Sequence, residues 1–308
     1  LVSRLSGAGI TQRYDPMAVY GAEGATDRVE EIGGELAAAL RSVGFTVDFA
    51  PVADIVTNPN NTEIGSRSFS SDPAVASEMV RAMVRGLQNS GCGACLKHFP
   101  GMGSTEADSH YGTSVSPRTL DELRQSELLP FAAGIDEGVG MVMVSHMSLP
   151  NALGDDTPCD LSPEIVTGLL REELGFDGVE LMCGEEDARG IVPTERVTGV
   201  HMNCLTYWLD FWRGDMDACL RELDTMENVR RMYGGETRRA LLEHYRRDLE
   251  NAKKYGAEYV VFHAADAGIE QTLTGRGGYA DREVIDGVCE FLNELMGGVT
   301  DGPALLLE

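Results

Sequence analysis

The stretch KHFPGMGSTEADSH, residues 97–110, comes directly after the short apolar run GACL at residues 93–96. An apolar run of this length that ends in ionisable residues is typical of a buried strand with polar groups at its carboxyl end. Further runs of the same kind alternate with longer amphipathic stretches, which is the pattern of a parallel sheet with helical crossovers. The predicted strands are residues 45–50, 93–98, 140–146, 177–182, 198–203, 257–263 and 303–308.

Amphipathic periodicity predicts helices between these strands. They cover residues 27–43, 73–89, 117–137, 162–174, 238–255 and 280–296. The sequence therefore predicts an α/β fold, a TIM-type (β/α) barrel formed as a single domain by residues 1–308, with about seven strands where a closed barrel has eight. Such an incomplete barrel leaves an open sheet edge, which favours self-association.

Polar or ionisable residues follow nearly every predicted strand. In (β/α) barrels the carboxyl ends of the strands line one rim, where the chemistry takes place, so these residues are expected to share a pocket. They are Asp54, Lys97, His98, His146, Cys183, Glu185, Glu186, His201, His263 and Glu308.

Composition limits the partners. Lys and Arg number 25 against 50 Asp and Glu, and the net charge of −25 repels nucleic acid phosphates and anionic lipid headgroups. We therefore expect no nucleic acid or membrane partner. The seven cysteines are an odd number spread over a long chain, which favours reduced thiols and a cytoplasmic location. Cys92 and Cys95 form a C-x-x-C without a second pair at zinc-ribbon spacing, so both are expected to be core thiols.

The stretch at residues 97–110 resembles the KHFPGHG-x-T-x-x-DSH signature of glycoside hydrolase family 3, in its bacterial β-N-acetylglucosaminidase branch. Further similar stretches are LVSRLSGAG at residues 1–9, FAPVADIVTNPNNTEIGSRSF at 49–69, LLPFAAGIDEGVGMVMVSH at 128–146 and LSPEIVTGLLREELGFDGV at 161–179. The resemblance is nearly continuous over residues 1–179. It implies hydrolysis of terminal β-linked N-acetylglucosamine, a small carbohydrate substrate, without a cofactor.

Retaining glycoside hydrolysis needs a nucleophile and a proton donor for the leaving oxygen. The resemblance implies that His110 is the acid/base and that Asp108 orients it. An imidazole suits this role because its pKa lies near neutral pH, and a neighbouring carboxylate fixes its tautomer. Sugar binding is implied for Lys97, His98, Arg67 and Arg4. Asp54 and His146 could either bind the sugar or shape the rim.

The resemblance breaks after GFDGV at residues 175–179. The family continues into a strand of the type VISDDLSM, whose first Asp is the nucleophile, whereas this chain continues ELMCGEEDARG. The nucleophile position falls near Cys183, and the nearest carboxylates are Glu185, Glu186 and Asp187. Displacing a reacting atom by about 1 Å costs orders of magnitude in rate. Because Met102 also stands where the family has a second His, a non-catalytic carbohydrate-binding protein is one alternative.

The second part of the chain has different motifs. GVHMNCLTYWLDFWRGD at residues 199–215, LENAKKYGAEYVVFHAAD at 249–266 and PALLLE at 303–308 resemble xylose-isomerase-like TIM barrels, which include sugar isomerases and AP-endonuclease-type enzymes. The resemblance implies a divalent metal, zinc or manganese, held by His201, His263 and Glu308. A metal-dependent sugar isomerase or epimerase is therefore another alternative. The simpler interpretation is that these three residues end their strands without binding a metal.

An aromatic run in this part is predicted to pack within a loop, with stacking on a sugar ring as the alternative. Its members are Tyr207, Trp208, Phe211 and Trp212. Both resemblances meet at residues 175–179 without a linker between them. We therefore take the chain to be a hybrid of two (β/α) barrel families, with a family 3 part at residues 1–179 and a xylose-isomerase-like part at 180–308.

Overall fold

The computed structural model describes residues 6, 9–105, 114–182, 192–268, 278–299 and 301–307. The chain divides into two compact units, Leu1–Phe176 and Asp177–Glu308. Their boundary falls inside residues 175–179, where the two sequence resemblances meet. Both units combine parallel strands with helices, which confirms the predicted α/β class. A single barrel over residues 1–308 stays a prediction.

The first unit is built on a three-stranded parallel sheet. Its strands β1 (Val47–Asp48), β2 (Gly93–Phe99) and β3 (Met141–Val144) lie in the order β1-β2-β3. Cys95 pairs with Met141, and the register shifts between Lys97 and Phe99. The helices are α1 (Met17–Glu23), α2 (Thr26–Ser42), α3 (Pro73–Asn89), α4 (Leu120–Gln125), α5 (Leu128–Asp136), α6 (Pro150–Leu153) and α7 (Glu164–Glu173), the last with π-type hydrogen bonding; 3-10 turns lie at Gly65–Arg67 and Cys159–Leu161.

Helix α3 shows how local sequence sets an element of this unit. Asp72 caps the helix by accepting a hydrogen bond from Ala74 N, and Pro73 occupies the first helical position, where no amide donor is needed. Its apolar residues lie on one face and are buried in the core; they include Met79, Val80, Met83, Val84 and Leu87. Burial of such a side chain contributes about 1.5–3 kcal/mol, so this face attaches the helix to the core.

The predicted helix over residues 117–137 is instead two helices, α4 and α5. The chain leaves the helical conformation at Ser126, which has φ of −142° and ψ of −81°. Glu127 follows and is fully buried, and its Oε1 accepts a 2.9 Å hydrogen bond from Arg118 Nε. A buried carboxylate needs such a partner because burial removes it from water. The break therefore coincides with an inward-facing ion pair.

The second unit is built on a four-stranded parallel sheet. Strands β4 (Val179–Met182), β5 (Val197–His201), β6 (Tyr259–Phe262) and β7 (Ala304–Leu307) lie in the order β4-β5-β6-β7. The helices are α8 (Leu209–Arg213), α9 (Met216–Leu223), α10 (Met226–Tyr233), α11 (Arg238–Tyr255) and α12 (Asp281–Met296), and a 3-10 turn lies at Thr194–Arg196.

Aromatic side chains form much of the core of the second unit. Trp208 and Trp212 pack against Phe291 with ring centroids 5.3 and 5.0 Å apart, and Phe211 stacks on Tyr233 at 4.0 Å. Tyr207 is also buried, and its hydroxyl donates to Asp210. The four residues therefore pack inside the unit and are not presented for stacking on a sugar, which confirms the predicted packing role. The predicted loop is in part a helix, because Phe211 and Trp212 lie in α8.

Each predicted strand has a counterpart in the structure, and no strand end differs by more than two residues. The predicted helices over 73–89 and 238–255 have the observed bounds. The helices that sequence periodicity missed, α1, α6 and α8–α10, are only 4 to 8 residues long, and so short a segment shows little periodicity. Across the described ranges, no helix is long and apolar enough to cross a bilayer.

Candidate functional site

Asp54 organises a polar network in the first unit. Its side chain has no exposed surface, and Oδ2 accepts a 3.1 Å hydrogen bond from His98 N and lies 2.7 Å from His98 Nδ1. Oδ1 accepts a 2.7 Å hydrogen bond from Met102 N. The carboxylate thus fixes both the His98 ring and the start of the next turn. The sequence offered Asp54 as a sugar ligand or as a residue that shapes the rim; its burial favours the second role.

Two glycines shape the turn after His98. Gly101 has φ of 125°, and a Cβ at this position would lie 2.8 Å from Glu127 Cβ. A Cβ on Gly103 would lie 1.7 Å from Ile55 O, so only glycine lets the turn pack on the chain that follows β1. Between them, Met102 is 3% exposed and belongs to the hydrophobic core. The position where the family has a second His is therefore apolar and buried here.

Arg67 and Lys97 line one cleft of the first unit. Its volume is about 140 Å³, and Asp48 also lines it. Arg67 lies in the turn Gly65–Arg67, and its Nη1 donates a 3.1 Å hydrogen bond to Glu63 O. The other walls are mostly apolar and include Met17, Phe49, Pro51, Val52 and Phe69. The structure therefore brings two of the predicted sugar-binding cations together, while His98 is not among the residues that line this cleft.

Burial perturbs the charged groups of this cleft. It lowers the pKa of Lys97 below its ordinary 10.5, and the positive charge of Arg67 lowers it further, whereas Asp48 opposes the shift. Burial raises the pKa of Asp48 above 3.8, and Lys97 opposes that shift. Groups withdrawn from water in this way make stronger hydrogen bonds to a ligand than the same groups at an exposed surface.

His146 lies outside this cleft. Its side chain is 69% exposed, and Nδ1 is 2.9 Å from both carboxylate oxygens of Asp160. An exposed pair of this kind contributes about 0–1 kcal/mol. His146 is therefore not part of the Arg67–Lys97 cleft, and its predicted contact with substrate stays a prediction.

The first unit also matches a known protein family. Residues 2–182 match the family described as "Glycosyl hydrolase family 3 N terminal domain". The chain belongs to glycosyl hydrolase family 3. The match includes Asp54, Arg67, Lys97 and His98, and it ends at Met182, the last residue of β4.

Three known proteins illustrate the similarity. A β-hexosaminidase of Stenotrophomonas maltophilia is 43% identical over 144 residues, which is 47% of this chain and 42% of that protein. The structure of NagZ from Neisseria gonorrhoeae with N-trifluoroacetyl-D-glucosamine is 31% identical and has a TM-score of 0.51, covering 60% of this chain and 55% of that one. A family 3 β-N-acetylglucosaminidase from a Paenibacillus species is 27% identical and has a TM-score of 0.53, covering 95% of this chain and 48% of that one. The chain thus spans about half the length of these relatives.

Several residues that the sequence analysis singled out lie outside the described residues. They are Arg4, Asp108, His110, Cys183, Glu185, Glu186, Asp187 and Glu308. Their predicted roles stay predictions. The described part of the site is therefore the cleft with Arg67 and Lys97 together with the Asp54–His98 pair.

Two histidines approach each other in the second unit. His201 Nε2 and His263 Nε2 are 3.1 Å apart, and His201 Nδ1 lies 3.0 Å from Met202 O. The predicted pair of metal ligands is thus brought together at the ends of β5 and β6. Among the residues that the structure describes, no group of three His, Cys, Asp or Glu could hold a metal ion, and the third predicted ligand, Glu308, lies outside them.

Sequence reasoning missed two carboxylates of the first unit. Asp48 lines the cleft, although its only signal was an acidic residue inside the predicted strand 45–50. Glu127 is fully buried, and within the described residues its Oε2 has no hydrogen-bond partner. Its only signal was a charged residue inside a predicted helix.

The predicted core thiols are found in the structure. Cys92 and Cys95 are 1% and 2% exposed. Burial raises the pKa of Cys92 to about 11 and that of Cys159 to about 12. Cys92 and Cys159 therefore stay protonated near neutral pH, and a protonated thiol is unreactive. A cytoplasmic location, to which reduced thiols are suited, stays a prediction.

Proposed function

We propose that this chain binds the non-reducing N-acetylglucosamine of a β-linked glycoside and hydrolyses it by the family 3 mechanism. The observation that carries the proposal is the meeting of Arg67 and Lys97 in one cleft, within the part of the chain that matches the family. A guanidinium and an ammonium donate charge-assisted hydrogen bonds, which are the stronger kind for holding sugar hydroxyls and an acetamido oxygen.

In the proposed reaction a carboxylate attacks the anomeric carbon while His110 gives a proton to the leaving oxygen. The glycosyl ester is then hydrolysed by a water molecule whose proton returns to His110. Asp108 orients the imidazole. The family position of this carboxylate falls near Cys183 in the sequence, and Glu185, Glu186 and Asp187 are the nearest carboxylates along the chain. If none of them reaches the anomeric carbon, the protein binds the sugar without turning it over.

Replacing Lys97 with methionine should weaken binding of N-acetylglucosamine about 10- to 150-fold, because a charged hydrogen bond contributes about 1.5–3 kcal/mol. The protonated amine is the donor, so wild-type affinity should fall as pH rises through the lowered pKa of Lys97, below the ordinary 10.5. The variant should lack this alkaline loss. Titration calorimetry from pH 6 to about 10 measures both effects.

The matched control is Lys254→Met, which removes an exposed lysine of the second unit and should leave the affinity unchanged. Release of a chromophore from an aryl β-N-acetylglucosaminide, measured on the same proteins, separates binding from hydrolysis. Equal affinity of wild type and Lys97→Met would show that this cleft does not bind the sugar. Binding without chromophore release would leave a carbohydrate-binding protein.

A second candidate function concerns the second unit, for which we propose a xylose-isomerase-like origin and a divalent metal site. The unit boundary within residues 175–179 and the end of the family match at Met182 support a change of family at this place. Two imidazoles on a tetrahedral zinc ion at about 2.0–2.1 Å have nitrogens about 3.3 Å apart. The 3.1 Å between His201 Nε2 and His263 Nε2 fits such a pair, and a bound metal would supply Lewis acidity for sugar isomerisation.

Metal content tests this candidate. Purified protein dialysed against zinc or manganese should hold about one ion per chain by elemental analysis, and His201→Ala and His263→Ala should each lower this at least about tenfold. His146→Ala, which removes a histidine of the first unit, should keep the wild-type content. Less than about a tenth of an ion per wild-type chain would eliminate the metal site and leave two strand-end histidines.

A further inference from the structure

Ser104 and Ser116 join the two ends of the segment that follows the FPGMG turn. Their hydroxyl oxygens are 2.7 Å apart, and the residues are 5% and 0% exposed. Ser116 Oγ also accepts a 3.3 Å hydrogen bond from Arg118 N. In sequence, Ser104 precedes and Ser116 follows residues 106–113, which include Asp108 and His110. A buried hydroxyl pair therefore connects the chain before this segment to the chain after it.

Asn61 holds the incoming end. It is 5% exposed, and its Nδ2 lies 2.8 Å from Met102 O, 3.1 Å from Thr105 O and 3.1 Å from Thr105 Oγ1. Its Oδ1 accepts a 2.8 Å hydrogen bond from Ile64 N. Asn61 also closes a turn over residues 58–61, since its backbone N donates to Asn58 O at 3.0 Å. The buried amide adds a second function, because its NH₂ group faces acceptor oxygens of Met102 and Thr105 and its oxygen accepts from Ile64 N.

The outgoing end is held by backbone pairing. Ser148 N donates a 2.8 Å hydrogen bond to Ser114 O, and Ser116 N donates a 3.0 Å hydrogen bond to Ser148 O. Val115 and Ser148 form a parallel bridge between these bonds. Both ends are thus attached to fixed parts of the first unit.

We propose that Asn61 and the Ser104–Ser116 pair are positioning residues, which form a closed base for the segment that carries the acid/base pair. Asp108 and His110 lie three and five residues after Thr105 in the sequence. Fixing both ends of a short segment also lowers the entropy lost when it adopts one conformation. The catalytic part of this inference rests on the proposed function, whereas the closed base rests on the hydrogen bonds alone.

The experiment compares wild type with the double variant Ser104→Ala/Ser116→Ala and with Asn61→Asp. The double variant loses one hydroxyl pair and little volume. The aspartate variant keeps the shape but sets a carboxylate against two carbonyl oxygens. Hydrogen exchange should speed up at least about tenfold at the amides of residues 103–105 and 114–116 and stay unchanged in α3. Ser77→Ala, which removes a hydroxyl that donates to Pro73 O at 2.6 Å, is the matched control and should change neither region.

Turnover of an aryl β-N-acetylglucosaminide is measured on the same proteins. Misplaced acid/base groups should lower kcat at least about tenfold and leave KM within about twofold, since the cleft itself is unchanged. Unchanged exchange in the double variant, with Asn61→Asp folded and also unchanged, would overturn the closed base. Faster exchange with an unchanged kcat would overturn the positioning role. A wild type without turnover would end the hydrolase proposal and the catalytic part of this inference, and the exchange data would still decide the closed base.

Discussion

Replacing Asp54 with asparagine should lower the free energy of unfolding by about 3 kcal/mol. The carboxylate meets three donor atoms, His98 N, His98 Nδ1 and Met102 N, and none of its surface is exposed. An asparagine keeps the volume but turns one acceptor oxygen into an NH₂ group, which must face either Met102 N–H or the two nitrogens of His98. Hydrogen bonds to a charged group contribute about 1.5–3 kcal/mol each, and a buried donor without an acceptor costs about 1–3 kcal/mol.

Urea unfolding followed by far-UV circular dichroism measures this change. The matched control is Asp160→Asn, which makes the same chemical change in the exposed pair with His146 and should cost no more than about 1 kcal/mol. Because Asp54 fixes the His98 ring, Asp54→Asn should also weaken sugar binding if His98 is a ligand. A stability loss below about 1 kcal/mol would show that Asp54 does not hold this part of the first unit together.

Replacing His110 with alanine should lower kcat/KM for an aryl β-N-acetylglucosaminide about 10²- to 10⁴-fold, the usual contribution of a general acid. The loss should depend on the leaving group. A dinitrophenolate needs little protonation and should be affected least, whereas a sugar leaving group needs a full proton and should be affected most. This dependence separates loss of the acid from general damage, which would lower both rates by the same factor.

His244→Ala is the control for this measurement. It removes a histidine of the second unit that contacts Asn203 and Arg247, and it should leave the ratio between the two leaving groups unchanged. Equal rates of wild type and His110→Ala would end the assignment of His110 as acid/base. Equal losses for both leaving groups would contradict its role as the proton donor.

The described half of the candidate site was predicted unevenly. Arg67 and Lys97 were predicted among four sugar-binding residues and do line one cleft, because a signature long enough to identify a family also carries the spacing of its ligand-binding residues. His98 was predicted to bind with them; its ring lies against Asp54, and its role as a sugar ligand stays a prediction. Asp48, which shares the cleft, was not predicted at all. A strand pattern predicts that successive side chains point to opposite faces of the sheet, but it does not predict which residues of other elements lie next to them.

The sequence by itself determined the strand positions, the α/β class, the family of residues 2–182 and the place near residue 177 where the chain changes character. These properties follow from local periodicity and from contiguous motifs. Only the tertiary structure decided that Asp54 contacts His98, that Arg118 pairs with Glu127 where the predicted helix 117–137 breaks, and that Ser104 meets Ser116. Each of these contacts joins residues 9 to 44 positions apart. Local periodicity does not specify such partners, because the tertiary fold decides which buried polar groups come within hydrogen-bond distance of each other.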